Sequence, residues 1–73
     1  LTRITHDPAV MGGKACIRGM RVTVSMVLNL LATGETRETI LEEFPYLEPE
    51  DIDAVLQYAA CRLEEWDVPL VTT

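Results

Sequence analysis

Few side chains in this sequence are able to do chemistry. The one histidine, His6, stands beside Asp7, the two cysteines are Cys16 and Cys61, and Gly12-Gly13-Lys14 has the outline of a phosphate loop. His6 and Asp7 suggest acid–base work, but adjacent side chains in a turn seldom share one pocket, so His6 reads as a satisfied turn residue. Neither cysteine has Cys-x-x-Cys spacing or an activating context, and both read as small apolar residues. The glycine pair lacks the leading glycine and following hydroxyl of a nucleotide loop. Two cysteines and one histidine are also too few for a disulfide framework or a closed zinc site. The expectation is a protein that is not an enzyme and uses no cofactor or metal.

Charge is more informative. The 73 residues carry a net charge of −6, unevenly spread. Residues 1–21 hold Arg3, Lys14, Arg18 and Arg21 against Asp7, whereas residues 22–73 hold Arg37 and Arg62 against eleven acids. A basic head on an acidic body makes Lys14, Arg18 and Arg21 the nucleic-acid candidates. Arg18 and Arg21 flank Gly19-Met20 and would project from a ribbon tip, with Lys14 near its base; such a ribbon fits a DNA groove. The alternative is that these arginines pair with acids of their own fold or of a partner subunit.

These residues need elements to hold them. Arg3–Thr5 and Ala15–Arg18 read as short strands, with an Asx-turn at Asp7 and positive φ available at Gly12 and Gly13. Gly19-Met20 fits a two-residue type II′ loop leading into Arg21 and Val22. Thr23 is placed to cap a first helix that Gly34 ends. Val24, Val27, Leu28 and Leu31 form its stripe, and Met26 and Leu30 add apolar surface, so this helix is expected at the centre of the core. Thr36 caps a second helix presenting Ile40, Leu41 and Phe44, and Pro45 ends it. Pro49 opens a third, with Glu50 and Asp51 facing its dipole and Ile52, Val55, Leu56, Ala59, Leu63 and Trp66 on one face.

The fold expected is therefore mainly α, a three-helix homeodomain-like (helix-turn-helix) core with a short N-terminal β-ribbon. It is a single domain over 1–73: ribbon 1–22, helices 23–67, tail 68–73. Glu48, Glu50, Asp51 and Asp53 crowd the start of the third helix, where a recognition helix would meet bases, so that helix is not expected to enter the groove in the usual way. Composition is 48% hydrophobic and 25% charged, which argues against disorder. A domain of this size buries only about 60% of its unfolded surface, so a homodimer through the ribbon and first helix, with Met26 and Leu30 at the contact, is expected. No stretch is long enough to span a bilayer and no signal-type apolar run opens the chain, which points to a cytoplasmic protein with reduced thiols.

The run GGKACIRGMRVTV, residues 12–24, resembles a family of small bacterial proteins known as domain of unknown function 433. The resemblance continues over residues 30–60 through Gly34, Ile40, Pro45, Leu47, Asp51-Ile52 and Tyr58. It departs at Ala15 and Thr23, where the family often has Pro, and at Met20, where it often has Thr. The resemblance implies a homeodomain-like core with a β-ribbon, and a role as antitoxin to a PIN-like ribonuclease toxin. Antitoxins commonly repress their own operons as dimers; the alternative is a stand-alone DNA-binding regulator. Such a nuclease holds its metal with clustered carboxylates, so Arg62 is the third-helix cation able to face it. Trp66 is the candidate anchor of a segment, Trp66 to Val71, lying across a partner's groove. The alternative is that Trp66 finishes the core and the tail frays.

Overall fold

The computed structural model describes residues 3–66, and side chains as far as Leu63. The order is β1 (Ile4–Thr5), β2 (Cys16–Ile17), α1 (Val24–Ala32), α2 (Arg37–Glu43) and α3 (Pro49–Trp66). It is a three-helix core with a short two-stranded ribbon, as the sequence predicts. The strands are antiparallel, pairing Ile4 with Ile17 and Thr5 with Cys16. The return arm after the turn pairs with β2 at one bridge, Cys16 to Thr23. Around it the amides of Ile17 and Val24 donate to the Val22 and Ala15 carbonyls, each at 2.9 Å.

The helix boundaries follow local chemistry. Thr23 Oγ1 accepts from the Met26 amide at 3.1 Å, and Thr36 Oγ1 accepts from the Thr39 amide at 3.2 Å. Each hydroxyl satisfies a donor that the first helical turn leaves without a partner. At the other end of α1, Gly34 takes a φ of 97°. Its amide then donates to Leu31 O, and that of Glu35 to Leu30 O, closing the helix in a Schellman motif.

The turn at the ribbon tip differs from expectation. The Met20 amide donates to Ile17 O at 2.9 Å, so the central pair is Arg18-Gly19 rather than Gly19-Met20. Both have positive φ, 46° and 73°, the pattern of a type I′ turn. A non-glycine residue there costs about 1–2 kcal/mol. The reason it holds is that this conformation turns the Arg18 side chain back onto α3 instead of out from the tip.

Its target is Asp51, the third residue of α3 and fully buried. Arg18 grips the carboxylate with two donors, Nε to Oδ1 at 3.1 Å and Nη2 to Oδ2 at 2.9 Å. Arg3 Nη1 donates to Oδ1 at 2.8 Å and to Glu48 Oε1 at 2.7 Å. The Glu48 amide donates to Oδ2 at 2.8 Å, the reach-back of an acid in the third helical position. Four hydrogen bonds on two oxygens fill the acceptor capacity of a carboxylate. Arg18 Nη2 also donates to Tyr46 O at 2.9 Å, so this one cluster joins β1, the ribbon tip, the α2–α3 turn and α3.

The core sits behind this cluster. Ile17, Val27, Ile40, Ile52 and Val55 are fully enclosed, drawing one or more residues from the ribbon and each helix. The expectation that α1 lies at the centre of the core is not met. It buries Val24 and Val27, but Leu28, Leu30 and Leu31 are half-buried and Met26 is 38% exposed. The α3 face also differs: Asp51, Ile52, Ala54 and Val55 point inward, while Leu56 and Leu63 are 42% and 63% exposed. At 1.5 Å per residue α3 is about 27 Å long and α1 about 13 Å, so α3 outruns the layer it packs on.

Burial pushes the Asp51 carboxyl up, but hydrogen bonds from Arg18, the Glu48 amide and Arg3, with the Arg18 charge, outweigh it and hold its pKa at about 2. The folded state thus binds fewer protons than the unfolded chain, whose carboxyl titrates near 3.8. This contribution, about 2 kcal/mol, is complete above about pH 5 and is lost as pH falls through 3.8 towards 2. Urea unfolding followed by circular dichroism between pH 6 and 2 should show that loss in the native chain and a flatter profile in Asp51→Asn. Asp51→Ala should be destabilising at neutral pH by about 3 kcal/mol, the low end for a broken buried pair because both guanidinium groups keep some water.

Candidate functional site

The three basic residues of the head have different settings. Arg18 is committed to Asp51 and the Tyr46 carbonyl and does not project from the tip. Arg21 lies by the tip, with Nη1 3.8 Å from Met11 Sδ, and borders a hollow with Met20, Val22 and Tyr46. Lys14 is exposed and makes no ion pair among the described residues. The pairing of head arginines with acids of their own fold accounts for Arg3 and Arg18. The bonds to Glu48 and Asp51 raise the Arg3 pKa, and the bond to Asp51 raises that of Arg18.

The acids at the start of α3 are also less repulsive than their number suggests. Glu48 pairs with Arg3, Asp51 with Arg3 and Arg18, and Asp53 with Arg37 at 2.6 Å. Asp51 is therefore a framework residue, so its removal would loosen the fold rather than simply relieve repulsion from DNA.

The His6 and Asp7 side chains part company. His6 Nε2 lies 3.1 Å from Tyr58 Oη, tying the first turn to α3, while Asp7 Oδ1 accepts from the Ala9 amide at 2.9 Å in the expected Asx-turn. Met11, Gly12 and Gly13 all have positive φ in a single left-handed turn. The amides of Gly13 and Lys14 are spent on Val10 O and Met11 O, so they do not form a phosphate cradle. Cys16 is buried and Cys61 exposed, and among the described residues no group of His, Cys, Asp or Glu could hold a metal ion. No helix among the described residues is long and apolar enough to cross a membrane.

A groove of about 570 Å³ lies between the start of α1 and the second half of α3. Ala15, Val24, Leu28, Ala59 and Leu63 form its apolar wall, and Lys14 and Arg62 bring positive charge to it. Of the residues expected to meet a partner, Arg62 thus lies in this groove, whereas Met26 and Leu30 lie on α1 outside it. Trp66 ends α3, and its side chain lies outside the described residues. Sequence reasoning did not assemble this groove, because its walls come from Lys14, α1 and α3, which only the packing brings together. Nor did it find the Arg3–Asp51–Arg18 cluster, although an acid in the third position of a helix opened by Pro49 was a usable signal.

Comparison with other proteins agrees with this architecture. A crystal structure of a DUF433 member protein from Anabaena variabilis ATCC 29413 superposes with a TM-score of 0.81 at 30% identity, covering 90% of this chain and 65% of that one. The uncharacterized protein y4eO of Sinorhizobium fredii (strain NBRC 101917 / NGR234) is 38% identical over 56 residues, or 77% of this chain. The chain spans only a quarter of the length of y4eO. The profile of the family described as "Protein of unknown function (DUF433)" matches residues 4–59. On that match and the shared fold, the chain belongs to the DUF433 family.

Proposed function

We propose that this chain is an antitoxin-like interaction protein, not an enzyme, that binds and neutralises a PIN-like ribonuclease and pairs with a second copy of itself. The observation that carries the reading is the apolar surface left uncovered on α1. Met26 is 38% exposed, and Leu28, Leu30 and Leu31 are half-buried on a helix whose sequence is apolar over most of its circumference. A nine-residue helix of this composition gains by covering that surface with another chain. The family resemblance supplies the nuclease as partner. Co-expression with a nuclease encoded beside the gene tests it: a stable complex and restored growth are expected, and unrelieved toxicity would reject the reading.

The second reading is DNA binding, as autorepression or as a stand-alone regulator. It is favoured by the ribbon tip, by Lys14 and Arg21, which make no ion pair among the described residues, and by the neutralisation of the α3 acids. Arg18 contributes to this reading by shaping the tip.

Two outcomes follow. Leu30→Lys and Met26→Lys should shift a dimer towards monomer by tenfold or more in sedimentation equilibrium, since stranding a charge in an apolar contact costs about 3 kcal/mol or more. A native chain that is monomeric at micromolar concentration would contradict the pairing. On operator DNA, Lys14→Gln and Arg21→Gln should each weaken binding and lower the salt slope by about one, as loss of one phosphate contact requires. Affinity indifferent to both substitutions would remove them from the DNA site.

A further inference from the structure

The groove between α1 and α3 combines two features that rarely coincide on so acidic a protein. Its wall is mostly apolar, and its charged described residues are Lys14 and Arg62, with no carboxylate among them. The chain has twelve acids against six lysines and arginines, so a groove whose described lining holds Lys14 and no carboxylate is against the average of the surface. Most of the chain's arginines are placed differently from Lys14. Arg3 and Arg18 serve Asp51, Arg37 serves Asp53, and Arg21 borders the separate hollow at the ribbon tip. The Lys14 ammonium has no carboxylate partner among the described residues. The first turn of α1, which forms one end of the groove, also carries no acid, whereas α2 begins with Glu38 and α3 with Glu50 and Asp51.

We propose that this groove receives an acidic segment of a partner protein, whose carboxylate meets Lys14 while an apolar side chain of the same segment packs against Val24, Leu28 and Ala59. Charge complementarity selects an anion, and the apolar wall selects among anions. A nucleic-acid backbone needs a row of cations and finds nothing to hydrogen-bond on an aliphatic surface. A peptide with an aspartate or glutamate next to an apolar anchor satisfies both parts, the rim by charge and the wall by burial. The volume, about 570 Å³, lies within the about 300–1,000 Å³ of sites that enclose a small ligand or a few side chains. Ser25, in the first turn of α1, adds a polar residue to the lining.

This inference rests on the reading of the chain as an interaction protein and assigns the partner's chemistry. The test uses the full chain, immobilised, against a displayed library of random dodecapeptides. Enriched peptides are then titrated by fluorescence anisotropy, and their contacts mapped by amide chemical shifts. The expected consensus has Asp or Glu close to a large apolar residue, with shifts at Lys14, Ala15, Ser25, Leu28 and Ala59. Lys14→Glu, at an exposed position that leaves the core intact, should weaken these peptides roughly fivefold or more, as reversing one surface pair requires. A library that enriches nothing, a neutral or basic consensus, binding unchanged in Lys14→Glu, or shifts elsewhere would overturn the proposal. Groove shifts that grow with concentration of the chain alone would overturn it in favour of a second copy. If acidic peptides bind as described but no nuclease is neutralised, the antitoxin reading fails and the groove assignment stands. If a nuclease is neutralised equally well by Lys14→Glu, the reverse holds.

Discussion

Asp51 accepts four hydrogen bonds where no water reaches it, three from the guanidinium groups of Arg3 and Arg18 and one from the Glu48 amide. Its carboxylate is enclosed while both arginine side chains stay about one-third exposed. This asymmetry makes the cluster favourable: the acid is desolvated, but the cations that compensate it keep part of their hydration. Two-residue strands cannot hold themselves together, and here they do not have to. Arg3 ties β1 to the α3 start and Arg18 ties the tip to the same point, so the ribbon is fixed against the helices from both ends.

The same cluster decides which charges remain for other molecules. Fixing Arg18 inward takes the most prominent cation away from the tip and leaves Arg21 and Lys14 at different places. Pairing Glu48, Asp51 and Asp53 with arginines removes most of the negative field at the head of α3. The surface that results is less polarised than the charge count suggests. It has an apolar face on α1, a groove with a basic lining, and a ribbon tip carrying one arginine.

Local signals in the sequence were legible because each acts within a few residues. Thr23 and Thr36 cap helices, Gly34 ends one and Pro49 opens another, and all four positions follow from single-residue chemistry. The three-helix order follows from them. What was not legible depends on residues brought together across the chain. Asp51 looked like a dipole-facing surface acid because the partners that bury it are 48 and 33 positions away. The turn shifted by one residue because Arg18 has a reason to adopt positive φ that lies in α3, not in the turn. The apolar circumference of α1 was read as enclosure, but a chain with three helices of unequal length has too little material to wrap it. The groove escaped for the same reason: Lys14 looked like part of a basic head, whereas packing sets it in one groove with residues of α1 and α3.

The account stands on Asp51 and Arg18 acting as one unit rather than as two independent residues. A double-mutant cycle measures this directly, comparing urea unfolding free energies of the native chain, Asp51→Asn, Arg18→Gln and the double variant at pH 7. The asparagine keeps an acceptor for the Glu48 amide, so the cycle isolates the ionic contact from the helix start. The account predicts a coupling energy of about 1–3 kcal/mol, with the double variant much less damaged than the sum of the singles. Additive losses, to within about 0.3–0.5 kcal/mol, would show that the two side chains do not hold the ribbon on the helices together, and would contradict it.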